Sequence, residues 1–257
     1  MKKLFYILIA IIALPFFNHA QNDTMYVMKA GVITAKFHVV NQVDSIIFYK
    51  KLTNSNTVTD ASGNNYPTVK IGTQTWMAEN LRTTKYSDGS SIPLETSVSS
   101  WSVGTTQKMC WYNNDQATYT ANKYGALYTW YAVSPTTNGN KNVCPTGWHV
   151  PTDAEWTTLT NYLGGSAAGG KMKSTGTQYW SSPNTGATNE SGFSGLPGGQ
   201  RYDNGAYITI GGYGYWWSST ENGTTKAWIR LLVYTNSNVT TGNGFKHNGF
   251  SVRCIKD

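Results

Sequence analysis

Asn142–Leu163, NVCPTGWHVPTDAEWTTLTNYL, decides how this chain is read. Thr152 is followed three residues later by Glu155. That spacing predicts a capping box: the Thr152 hydroxyl accepts the backbone N–H of Glu155, and the Glu155 carboxylate accepts the N–H of Thr152. Pro151, just ahead of the cap, keeps the preceding backbone extended. Beyond it, Trp156, Leu159, Tyr162 and Leu163 recur at helical spacing and give one apolar face. Gly164-Gly165 closes the helix. Cys144 lies upstream of the cap, where a disulfide would fix the incoming strand.

Working outward, Tyr66–Ile71, Gly72-Thr73 and Gln74–Ala78 read as a hairpin with a short turn. Thr83–Ser102 is polar and irregular, and Met109–Tyr112 is a short apolar strand. Tyr124–Val133 predicts a helix with Leu127, Trp130 and Tyr131 on its aromatic face. On the C-terminal side, a short third helix is expected through Lys171–Lys173. Loops follow at Ser181–Asn189 and Gly192–Arg201, then strands at Tyr215–Ser219, Ala227–Tyr234 and Phe250–Ile255. Trp228, Arg230, Leu232 and Tyr234 alternate with Ile229, Leu231 and Val233, as in a sheet buried largely on both faces. The domain begins and ends in strands, which are expected to pair side by side. The expected class is α+β.

Ahead of this domain, Met1–Ala20 reads as a secretory signal peptide, with Lys2 and Lys3 before the apolar run Leu4–Leu14. Residues 21–59 read as a short leading β segment and linker, with strands through Val32–Val39 and at Ile46–Phe48. The main domain is expected from Asp60 to Asp257. No stretch of the mature chain is expected to span a membrane. The formal charge is +7, but charged residues are only 13% and scattered, which argues against a nucleic-acid partner. Ten Trp, 17 Tyr and 26 Gly point to an aromatic core under many loops. Of the three cysteines in an oxidising compartment, Cys144 and Cys254 are expected to pair, tying the last strand to the centre. Cys110 is then free and buried.

The runs IGTQTWMAENLRTTKYSDGSSIP, YGALYTWYAV, CPTGWHVPTDAEW, GFSGLPGGQR, WWSST and GFSVRC together resemble the Fibrobacter succinogenes major paralogous domain. The resemblance covers about Asp60 to Asp257. VDSIIFYK resembles a segment often placed before this domain in secreted Bacteroidetes proteins. The family is similar to the C-type-lectin-like fold, which includes the formylglycine-generating enzyme group. The resemblance therefore implies two main helices, a mixed, mostly antiparallel sheet and long irregular loops. It also implies a secreted or cell-envelope location. It implies no particular activity.

Three kinds of chemistry bear on these residues. The formylglycine-generating reaction uses a close pair of cysteines near the C-terminus to hold copper, and here Cys254 stands alone there. His149 lies near Asp153 and Glu155, as a general base would, but the Glu155 carboxylate is committed to the cap, which gives His149 a structural role. Loop binding fits best. Arg201, Tyr202, Asp203, Trp217, Glu221 and Asn222 are the expected ligand residues, because aromatic faces stack on sugar rings and polar side chains bond their hydroxyls. Trp216 and Trp217 point to opposite faces of a strand, so a one-sided sheet needs only one in its core. No catalytic residue and no cofactor are expected. Metal ligands are left unassigned, with a structural calcium on Asp203, Asn204, Glu221, Asn222, Asn189 or Glu190 the one ion considered. The expected function is a non-enzymatic binding domain for a glycan or surface protein. The alternative is a structural or adhesin component of the envelope with no small-molecule ligand.

Overall fold

A computed structural model describes residues 24–29, 32–38, 56–102 and 104–257. The expected signal peptide and the expected strand at Ile46–Phe48 lie outside these residues. The chain divides into two units, Met1–Lys51 and Leu52–Asp257. In the first, β1 (Thr24–Lys29) pairs antiparallel with β2 (Val32–His38).

The main unit starts before Asp60, because β3 (Thr57–Thr59) already pairs with β4 (Asn65–Ile71). β4 then turns into β5 (Gln74–Met77), as the hairpin signal predicts. Next come α1 (Val98–Trp101), β6 (Met109–Cys110), α2 (Gln116–Ala121), β7 (Leu127–Tyr128), α3 (Trp130–Val133) and β8 (Trp148–His149). α4 (Asp153–Tyr162), α5 (Gly169–Met172), β9 (Gln200–Arg201) and β10 (Tyr207–Ile208) follow. β11 (Tyr213–Glu221), β12 (Lys226–Val233), β13 (Val239–Phe245) and β14 (Ile255–Lys256) complete the unit. Five strands form one sheet in the order β3-β4-β5-β14-β8, and β11-β12-β13 form another. β14 lies between β5 and β8, with Ile255 opposite both Trp76 and His149. The last strand, expected over Phe250–Ile255, is corrected to Ile255–Lys256, and it pairs with the second strand of the first hairpin, which brings the two ends of the domain together. Beside them, Cys144 and Cys254 form a disulfide, and Cys110 is free and buried.

α4 has the predicted capping box, with Thr152 Oγ1 accepting from Glu155 N (3.2 Å) and Glu155 Oε2 accepting from Thr152 N (2.8 Å). The second expected main helix is corrected. Leu127 and Tyr128 form a strand, and only Trp130–Val133 is helical. The cause is tertiary: Tyr128 exchanges both backbone hydrogen bonds with Phe250 (2.9 and 3.1 Å), and Thr129 N donates to Lys108 O (3.0 Å). Among the described residues α4 is thus the one α-helix longer than six residues, and the fold is α+β but mostly β.

Two aromatic cores flank β11. One holds Trp101, Tyr128, Trp130, Trp217 and Phe250, and the other Trp76, Trp156, Phe193 and Trp216. The one-sided sheet assumed for Trp216 and Trp217 is therefore corrected: both rings are fully buried, on opposite faces of the strand. Burying a large aromatic ring of about 150–250 Å² contributes roughly 4–6 kcal/mol, which offsets the shortage of Leu, Ile and Val.

Asn80 joins the cores. Its Oδ1 accepts from Trp216 Nε1 (2.9 Å) and Arg253 Nε (2.8 Å), while its Nδ2 donates to Tyr124 O (2.8 Å). Asn80→Ala leaves a buried cation short of an acceptor and an indole N–H and a carbonyl unpaired. We expect a loss of about 3–5 kcal/mol in guanidinium unfolding; a loss below about 1 kcal/mol would show the hub to be dispensable. The disulfide closes a span of 110 residues. Replacing both of its cysteines by serine should cost about 2–5 kcal/mol, and reductant should lower the stability of the native chain by the same amount.

Candidate ligand-binding groove

A groove of about 210 Å³ opens where the β9–β10 turn meets β12, β13 and the turn that follows β13. Its walls include Tyr202, Tyr215, Lys226, Asn243, Phe245 and Asn248. Tyr202 is presented by a tight turn, closed by Tyr202 N to Ala206 O (2.7 Å) and Gly205 N to Tyr202 O (2.9 Å). Tyr202 and Phe245 are each 38% exposed. On the opposite face of β13 from Phe245, rings are stacked in series. Tyr215 lies parallel to Phe250 at 5.0 Å and to Tyr213 at 6.0 Å, and Phe250 packs on Trp217 at 4.6 Å. Gly244 makes this possible, because a Cβ there would overlap the Phe250 ring.

The polar groups are equally specific. Asn248 N donates to Phe245 O (2.8 Å) and closes the turn after β13. Asn248 is 4% exposed, and its Oδ1, which solvent does not reach, has no hydrogen-bond partner among the described residues. A buried acceptor left unpaired costs about 1–3 kcal/mol. Lys226 Nζ sits 4.8 Å above the Phe245 ring, and among the described residues no carboxylate forms an ion pair with it. Burial raises the pKa of the Tyr215 phenol, which hydrogen bonds to Thr209 and Gln200 partly offset, and keeps it neutral.

Of the residues expected at the ligand, the structure places Tyr202 on the groove. Arg201, beside it, is corrected to a structural role. It is fully buried, donates to Glu95 O (2.6 Å), Ser97 O (3.0 Å) and Gly205 O (3.2 Å), and stacks on Trp101 at 4.3 Å. Trp217 is likewise corrected: it is wholly buried, and its Nε1 donates to Tyr128 O (2.7 Å). Asp203 shares the Tyr202 turn but does not line the groove. Glu221 pairs with Lys246 (2.9 Å), and Asn222 N closes the β11–β12 turn on Lys226 O (2.9 Å). The oxygens considered for calcium are dispersed, with Glu190 on Lys171 (3.0 Å), Asn189 Oδ1 on Ser194 N (2.8 Å) and Asn204 Oδ1 on Ala206 N (3.0 Å). Among the described residues no group of three or more His, Cys, Asp or Glu is placed to hold a metal ion. Lys226, Asn243, Phe245 and Asn248 were missed. The usable signal was the Asn-Gly turn in FKHNGF, which places its side chains at a strand end.

A mostly β domain with a loop-built groove on a three-stranded sheet is thus the class of protein in hand. The chain belongs to the Fibrobacter succinogenes major domain family, whose profile matches residues 69–256 and so takes in every wall of the groove. Neither curated proteins nor solved structures give a match. No helix among the described residues is long and apolar enough to cross a membrane.

His149 lies elsewhere, on β8. Its Nδ1 meets Asp257 Oδ1 (2.6 Å) and its Nε2 meets Glu155 Oε1 (2.9 Å), so it clasps the end of the chain to the capping box. Burial works to lower its pKa, but the hydrogen bonds to Asp257 and Glu155 outweigh it, and the net shift is upward from 6.5. For Glu155, burial acts upward, but the Thr152 and His149 hydrogen bonds prevail and the net shift is downward from 4.5. A raised histidine stabilises fully below its unfolded value and loses that contribution as pH rises through its folded one. A depressed carboxylate stabilises above its unfolded value and loses it as pH falls. The clasp is therefore strongest between 4.5 and 6.5. His149→Gln should lower the melting temperature more at about pH 5.5 than at about pH 8.5. An equal drop at both would mean that the charge of His149 contributes nothing.

Proposed function

We propose that the chain is an exported, non-enzymatic binding domain that recognises a glycan through the Tyr202–Phe245 groove. The observation that carries this reading is two partly exposed rings, Tyr202 and Phe245, on the walls of one groove with the carboxamides of Asn243 and Asn248. Aromatic faces take the apolar face of a pyranose, and carboxamides take its hydroxyls. Sites of this kind sit on loops held by a rigid scaffold. The cavity falls below the roughly 300–1,000 Å³ of sites for drug-sized ligands, which suits one sugar ring at a chain end. The Lys2-Lys3 start, the apolar Leu4–Leu14 run and the Cys144–Cys254 disulfide support export to the envelope or beyond. Paired terminal strands, one capped helix and long loops support kinship with the C-type-lectin-like fold.

A second reading, an adhesin or assembly component without a small ligand, draws on Leu94 and Val98, which are 57% and 58% exposed. Light scattering separates it, because assembly requires self-association of the purified chain.

The test is a glycan array covering bacterial, plant and mucin structures, run with calcium and with chelator. Tyr202→Ala and Phe245→Ala should each weaken binding at least about tenfold with circular dichroism unchanged, the scale of losing one ring contact of ~1–3 kcal/mol. Saturable binding indifferent to both substitutions would move the site away from this groove.

A further inference from the structure

The charge of the groove narrows the ligand class. Its walls carry one cation, Lys226, and no carboxylate. The Lys226 ammonium is held over the Phe245 ring and has no acidic partner among the described residues. The nearest acidic residue along the chain, Glu221, is taken by Lys246. The same walls carry the carboxamides of Asn243 and Asn248. A ligand suited to them presents an anion to Lys226 and hydroxyls to the carboxamides, on a ring small enough to enter beside Tyr202 and Phe245. Resting on the glycan reading above, the geometry points to a hexuronic acid residue at a chain end as the occupant, with its carboxylate on Lys226 Nζ and its ring hydroxyls among the carboxamides.

The probes are two matched pairs, in which a carboxylate replaces a hydroxymethyl group: galacturonate and galactose disaccharides, and glucuronate and glucose disaccharides. Titration calorimetry with the full chain should show the uronate of at least one pair binding about tenfold or more tightly than its neutral partner. Lys226→Gln should abolish that preference by weakening uronate binding about tenfold more than neutral binding, and Lys226→Arg should retain it. Asn248→Asp, close in shape, should weaken uronate binding more than neutral binding, and circular dichroism checks that each variant folds. Added salt should weaken uronate binding selectively. A neutral disaccharide bound as tightly as its uronate, or a preference that survives Lys226→Gln, overturns this inference and leaves the glycan reading standing. Failure of all four probes overturns it as well, and the array then decides the broader reading separately.

Discussion

Near the end of the chain Arg253 carries a guanidinium that solvent does not reach. Its Nε donates to Asn80 Oδ1 (2.8 Å), its Nη1 to Met77 O (3.0 Å) and Phe193 O, and its Nη2 to Ser194 O (2.9 Å). None of these acceptors is a carboxylate. A buried ion without acceptors costs several kcal/mol, so they must be in place when the charge is enclosed. They come from β5, from the turn after it and from the loop before β9. The first hairpin, the glycine-rich loop and the last segment are therefore obliged to assemble together. The β5–β14 pairing and the disulfide stand beside this cation and depend on the same closure.

The device recurs. Arg201 gathers Glu95, Thr96, Ser97 and Gly205 through their carbonyls. Lys173 gathers Thr185 O (2.9 Å), Val233 O (3.1 Å) and Asn236 O (2.8 Å), and burial pushes its ammonium down to about 8. Arg230 joins β12 to the start of α4 through Asp153 Oδ1 (2.6 Å) and Thr157 Oγ1 (3.0 Å). Irregular loops leave carbonyls without sheet or helix partners, and a buried carbonyl needs a donor. A guanidinium brings five donors to one point. This is how a chain with so little regular structure keeps long loops in one conformation.

The same physics explains which parts of the fold were legible in the sequence. Thr152–Glu155 and the Tyr66–Ala78 hairpin are local signals, and they appear as read, whereas the strand expected over Phe250–Ile255 is reduced to Ile255–Lys256 beside β5 and β8. Tyr124–Val133 has a helical pattern, but Phe250 claims the backbone of Tyr128 from more than a hundred residues away, and no local rule contains that partner. Arg201 and Trp217 looked like ligand residues because their types suit sugars. Trp217 is buried because β11 has a core on each side, which a single strand's alternation does not reveal, and Arg201 because Trp101 and the distant Glu95–Ser97 carbonyls enclose it. Tyr202 was legible as an aromatic beside turn formers. Asn248 was not, because its significance is a missing hydrogen bond.

Trp217 still bears on the groove, from below. Its indole is tied to Tyr128 O, which fixes the ring on which Phe250 leans, and Phe250 in turn fixes Tyr215. Gly244 lets β13 pass close over that stack, with Asn243 and Phe245 on the opposite face of the strand. The turn that follows places Asn248 with its oxygen unpaired, and Arg201 holds the facing turn that carries Tyr202. Each wall is thereby anchored to a buried group rather than to another loop. A site so anchored loses little conformational freedom on binding, which is the condition under which a few contacts to one sugar ring yield useful affinity.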